Sequence, residues 1–264
     1  MQITLDATTL DVLDEGHGPA VVLLHAFPLA KEEWDAQAAV LARGARVIRP
    51  DLRGLGRSGV TAGPVLMESL AGDVASLLDA LAIERAVIVG HSLGGYVAFA
   101  FLRLFAERVS GLGIVASRSD ADDAAGAMRR LELADATERD GMEPLLDFYL
   151  PRLFAADVYA ERPALVEEVR SMCGRTDPRG AAATMRGIAL RVGAGDLLAE
   201  VAVPAVVIAG TGDALIPIDT QRAMAAAIPG AVIEEIDAGH MATLEAPDAV
   251  SAALERLVVA AQRA

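Results

Sequence analysis

Short apolar runs recur along the chain at intervals that leave room for a helix between most of them, and this rhythm limits the fold more than any other feature. The runs are AVVLLH (20–25), ARVIRPD (45–51), RAVIVG (85–90), VSGLGIVAS (109–117), PAVVIAG (204–210) and AVIEEID (231–237). AVVLLH is continuously apolar rather than alternating, which suits a strand covered on both faces. Segments with helical patterning lie between the runs, at 32–42, 66–82, 93–106 and 217–228, with a terminal helix from about 245. Strand–helix alternation of this kind predicts an α/β fold, a mostly parallel, doubly wound sheet with helices on both faces. QITLDATTLDVLD near the start alternates and breaks at Asp6-Ala7, which predicts an N-terminal hairpin.

Between 118 and 199 the rhythm stops. Charged, alanine-rich stretches such as PLLDFYLPRLFA and PALVEEVRSM replace it. The expected organisation is a core domain of 1–117 and 200–264, with 118–199 as an inserted helical cap. An insertion between two strands of one sheet can lie over the strand C-termini, where such sheets bind ligands.

Composition narrows the function. A formal net charge of −14 repels nucleic acid and anionic membrane surfaces, and no basic run offsets it. No apolar run approaches the roughly 20 residues a bilayer requires, and MQITLDATTL has neither the basic start nor the apolar stretch of a secretory signal. A cytoplasmic protein is expected. Cys173 is the only cysteine, so an internal disulfide is impossible and a cysteine-based zinc site is disfavoured. Neither cofactor nor metal is expected. The acidic SDADD (119–123) reads as a solvated loop or helix start, and homo-oligomer formation is left open by the sequence.

Chemistry enters at VIVGHSLGGYVAF (87–99). Gly90-His91-Ser92-Leu93-Gly94 fits G-x-S-x-G between a strand and a helix, the setting in which a sharp turn presents a serine hydroxyl. A hydroxyl is a weak nucleophile at neutral pH and needs a base within hydrogen-bond reach. His17 lies in the EGHGP turn, His25 ends a strand, and His91 should point away from its neighbour Ser92; His240, in DAGHM after the last strand, remains. A carboxylate must then hold the imidazole. Asp213 in GTGDALIP gives the chain order Ser, Asp, His, and the 119–123 acidic group is the competing choice.

Charge developing on a carbonyl oxygen needs preset donors. The backbone N–H of Leu93 follows the serine directly, and that of Phe27, in HAFPLAKEEW after an early strand, is the second candidate. Trp34, Phe148 and Tyr149, with Phe154 and Tyr159, are candidates to line a substrate pocket beneath the cap, although their spacing serves a core equally well.

LLHAFPL…W, DLRGLGRS, VGHSLGG, GTGDALIP and AGHM…E.P, taken in order, resemble the α/β-hydrolase superfamily from about residue 20 to the end. Within it the chain is similar to the esterase, enol-lactonase and cofactor-free haloperoxidase branch. The resemblance implies an α/β-hydrolase fold and a serine hydrolase acting on a small or medium carboxylic ester or lactone. Perhydrolysis in the same site, or a receptor-like binder with little turnover, are the alternatives. The resemblance also makes DLRGLGRS a structural loop with Asp51 and Arg53 as partners. G-x-G-x-x-G occurs within it (54–59), but no helix opens there to receive a pyrophosphate, so dinucleotide binding is not expected. Ala26 stands where many relatives have glycine, which would be costly if φ had to be positive.

Overall fold

The computed structural model describes residues 1–263, and the apolar runs become strands of one eight-stranded sheet. β1 (Gln2–Thr4) and β2 (Thr9–Gly16) form the expected hairpin, with Thr4 opposite Thr9. β3 (Ala20–Leu24), β4 (Arg46–Pro50), β5 (Ala86–His91), β6 (Val109–Val115), β7 (Ala205–Gly210) and β8 (Val232–Ile236) pair in parallel. The spatial order is β1-β2-β4-β3-β5-β6-β7-β8.

Burial on both faces explains the continuous apolar runs. Val22, Leu24 and Ile88 join one core with Leu70, Leu77 of α2 (Met67–Ala80) and Val97, Phe101 of α3 (Leu93–Leu104). Val21, Leu23, Val87 and Val89 point the other way. There they meet Ala38 and Leu41 of α1 (Asp35–Leu41) and Leu254 and Leu257 of α11 (Pro247–Ala261). Truncating one such leucine to alanine costs about 2–5 kcal/mol. Among the described residues no helix is long and apolar enough to cross a membrane.

Between β6 and β7 the chain forms α4 (Ala124–Asp140), α5 (Glu143–Tyr149), α6 (Val158–Glu161), α7 (Pro163–Gly174) and α8 (Pro178–Ala189). α4 starts at Asp123, whose carboxylate accepts from the Gly126 N–H at 2.6 Å. α8 starts at Asp177, followed by Pro178 in the first turn. After β7 come α9 (Ile218–Ala227), α10 (Ala242–Glu245) and α11.

The terminal helix expected from about 245 is α11, and the short α10 stops before it because Ala246 precedes Pro247 and adopts φ −133°, ψ 59°, outside the helical region. Two expectations need correction. Asp51 and Arg53 are not partners: Asp51, fully buried, accepts from Lys31 Nζ at 2.8 Å, the Lys31 N–H at 2.7 Å and the Arg57 N–H at 2.8 Å. Arg53 pairs with Asp73 instead. SDADD is only partly solvated, since the Asp122 side chain is 3% exposed. Cys173 is buried, and desolvation pushes its thiol up to about 12.

Candidate active site

Ser92 sits between β5 and α3 at φ +50°, ψ −106°, a strained conformation for a residue with a Cβ. Neighbouring strands hold it there. The Ser92 N–H donates to Val115 O at 2.9 Å, and Ser92 O accepts from Ser117 Oγ at 2.8 Å and the Gly95 N–H at 3.0 Å. The flanking glycines are required by space. A Cβ on Gly90 would lie 2.1 Å from Gly94 C, and one on Gly94 would lie 2.1 Å from Leu24 O.

Loops after β7 and β8 bring Asp213 and His240 to the same rim. His240 Nδ1 lies 2.9 Å from Asp213 Oδ2, and both side chains are buried. Asp213 Oδ1 accepts from the Leu215 and Ile216 N–H groups at 2.8 and 2.9 Å. Burial would raise the Asp213 pKa, but the facing His240 and these donors outweigh it and hold the carboxyl below its ordinary range. An ionised Asp213 fixes the proton on Nδ1, which leaves Nε2 as the acceptor. Among the described residues no hydrogen bond or ion pair joins the 119–123 group to His240, and Asp122 is engaged by arginines.

Phe27, Leu93, Ser92 and His240 border one cavity of about 420 Å³. Among the described residues neither the Phe27 nor the Leu93 N–H has a protein acceptor. Ala26 does not have a positive φ, so alanine is tolerated there, and its N–H donates to Glu33 Oε2 at 2.8 Å. No direct hydrogen bond joins Ser92 Oγ to His240 among the described residues.

Glu33 is a residue that sequence patterning did not single out. Fully buried, it contacts His91 Nδ1 and accepts from Thr243 Oγ1 at 3.2 Å, while His91 Nε2 donates to His240 O at 2.8 Å. Both ring nitrogens of His91 thus face oxygen acceptors, the pattern of an imidazolium. Burial alone would lower the His91 pKa, but Glu33 reverses this and the net shift is upward; Glu33 is correspondingly held below its ordinary value. The pair ties the Phe27 loop, the strand before Ser92 and the His240 loop into one unit. His25 is structural: Leu52 N–H donates to its Nε2 at 2.9 Å, and its Nδ1 reaches Ala26 O.

Of the aromatic candidates, Phe148 and Tyr149 of α5 line the cavity, with Tyr149 edge-on to Phe27 at 5.9 Å between centroids. Trp34 does not. It is fully buried in the core that also holds Ala38 and Leu41 of α1, edge-on to His91. Phe154 packs in the core against Tyr159, also away from the cavity.

Residues 19–247 match the family described as alpha/beta hydrolase fold. A thermophilic esterase from Thermogutta terrifontis superposes with a TM-score of 0.96 at 35% identity, over 99% of this chain and 98% of its own. An enol-lactonase from Burkholderia xenovorans LB400 gives 0.92 at 30% identity, over 98% of this chain and 100% of its own. The 3-oxoadipate enol-lactonase 1 of Acinetobacter baylyi is 29% identical over 242 residues, which is 91% of this chain and 89% of that protein.

Proposed function

The chain belongs to the alpha/beta hydrolase fold family, and from that premise we propose that it is a serine hydrolase cleaving a small or medium carboxylic ester or lactone through an acyl-enzyme. The observation that carries this reading is the His240 Nδ1–Asp213 Oδ2 contact of 2.9 Å on the cavity that Ser92 also borders. Relatives named as an esterase and as enol-lactonases, at 29–35% identity over nearly the whole chain, support the substrate class.

In this mechanism Ser92 Oγ bonds to the carbonyl carbon as its proton passes to His240 Nε2, the two closing to hydrogen-bond distance when substrate binds. The carbonyl oxygen becomes an oxyanion and takes hydrogen bonds from the free Phe27 and Leu93 amides. Collapse expels the alcohol oxygen, which receives the proton from Nε2. Water then repeats the sequence on the acyl-enzyme: Nε2 takes its proton, the hydroxide oxygen joins the carbonyl carbon, and Ser92 Oγ leaves with the proton returned. Asp213 stays ionised throughout and stabilises the imidazolium. A cytoplasmic location and a small-molecule substrate as the only required partner belong to the same proposal.

Mass spectrometry after treatment with a phosphonate ester tests it. A single adduct on Ser92, absent in Ser92→Ala, is the expected result. A Ser92→Ala protein that hydrolyses 4-nitrophenyl acetate as fast as the wild type would overturn it. Peracid formation from acetate and hydrogen peroxide would instead favour perhydrolysis, and ligand-induced stabilisation without acylation would favour a binder.

A further inference from the structure

His240 is gripped by the inserted segment as well as by the sheet. Leu153–Ala155, which lies between α5 and α6, meets the residues on both sides of it. The Met241 N–H donates to Leu153 O at 3.0 Å. On the other side, a Cβ on Gly239 would lie 2.3 Å from Ala155 N and 2.4 Å from Phe154 C, so the two backbones approach to a distance that only glycine allows.

Glu245, the last residue of α10, closes this contact. Its Oε2 accepts from the Gly239 N–H at 2.9 Å and from the Ala155 N–H at 3.0 Å, one donor from the His240 loop and one from the insertion. Arg162, just after α6, joins the same junction from the surface, donating to Leu244 O at 3.1 Å and to Glu245 O at 2.9 Å. The grip reaches the imidazole through the main chain. His240 O accepts from His91 Nε2 at 2.8 Å and the ring faces Asp213, so the freedom left to the ring relative to Ser92 lies in the flanking Gly239 and Met241 peptides. Both are tied to the insertion. A misplacement of about 1 Å at a reacting group can cost about a hundredfold in rate.

We propose that Glu245 is a positioning residue: it pins Leu153–Ala155 to the His240 loop, so that the inserted segment sets where the imidazole stands. The inference rests on the hydrolase reading above for its effect on turnover, but not for the clasp itself. It makes the insertion necessary for fast cleavage of any ester, including one too small to fill the cavity.

The test compares Glu245→Ala with Glu245→Gln. One oxygen takes both N–H groups and Glu245 Oε1 is buried without a partner, so glutamine can keep both bonds through its carbonyl oxygen and place its NH2 where Oε1 lies. Alanine removes both. Turnover is measured with 4-nitrophenyl acetate, and competent sites are counted by the total 4-nitrophenolate released from a 4-nitrophenyl phosphonate. Glu245→Ala should lower kcat per competent site about thirtyfold with KM changed by less than about twofold, and Glu245→Gln should stay within about threefold of the wild type. A residue that only supported folding would lower the number of sites instead. Hydrogen exchange read by mass spectrometry supplies a measurement independent of turnover: Glu245→Ala should speed exchange in peptides covering both Leu153–Ala155 and Gly239–Met241, and Glu245→Gln in neither. Arg162→Ala, at an exposed side chain, should lower kcat in the same sense by about threefold and decides the matter if Glu245→Ala does not fold. An unchanged kcat per site in folded Glu245→Ala, a Glu245→Gln as impaired as Glu245→Ala, or faster exchange in only one of the two segments overturns the proposal. So does a wild-type kcat in Arg162→Ala where Glu245→Ala does not fold. If the acetate is not cleaved and Ser92 is never phosphonylated, the hydrolase reading fails, and hydrogen exchange still decides the clasp.

Discussion

Behind Ser92, Glu33 and His91 meet one to one, both fully buried, with every ring nitrogen and carboxylate oxygen in contact with a partner. Across the cavity a single Asp122 is shared among Arg118, Arg130 and Arg191. The first cluster is closed: it has no capacity left for a ligand, and its effect is to hold three loops in register. The second is less complete, because three guanidiniums share Asp122 and Arg118 Nε is left without a partner. Buried charge is thus arranged in two ways in this protein, balanced one to one behind Ser92 and shared around one carboxylate across the cavity.

The comparison can be broken from either side. The largest effect is expected where the strand rim carries the chemistry: His240→Ala should lower kcat/KM for 4-nitrophenyl acetate by about a thousandfold or more, with Asp213→Asn close behind. A smaller but still large effect is expected in stability from Glu33→Gln. Removing the charge that pairs with buried His91 should cost about 3 kcal/mol in chemical denaturation. It should also reduce kcat more than it raises KM, because the Ala26–Phe27 loop loses its anchor.

The pH dependence of stability sharpens the same contrast. The folded Glu33 and Asp213 pKa values are depressed, so their contribution is present above the ordinary carboxylate values of 4.5 and 3.8 and is lost as pH falls through the folded values. The His91 pKa is raised, so its contribution is complete below 6.5 and is lost as pH rises through the folded value. Denaturation midpoints should therefore be highest between about 4.5 and 6.5 from this cluster, and Glu33→Gln should flatten the alkaline limb. The smallest effect is expected at the cavity edge. Phe148 is 36% exposed, and Phe148→Ala should change Tm little and KM by about twofold.

Legibility followed the distance over which a residue acts. The elbow was readable because Gly90, Ser92 and Gly94 are neighbours, and the reason for each glycine is a contact with β3 or with the elbow's own helix. Asp213 and His240 were readable because each follows directly on a strand whose end is fixed by the sheet. Glu33 was not, since a glutamate in KEEW has the pattern of a solvated helix start, and only tertiary packing brings it to His91 of β5 and Thr243 of α10. Trp34 failed for the related reason that helical spacing marks a buried face without saying which side of the sheet receives it. The Asp122 cluster was hidden most completely: Arg118 and Asp122 are four residues apart in the loop before α4, but Arg130 and Arg191 arrive from α4 and from beyond α8.

By itself, the sequence determined the parallel sheet, the strained serine turn and the order of the groups around it, because apolar period, glycine and chain direction are local properties that the backbone converts directly into geometry. Tertiary packing alone decided which charges are buried together and in what ratio. Ion pairing in a low-dielectric interior depends on which side chains meet, and residues 33 and 91, or 122 and 191, meet only after the whole chain has closed around them.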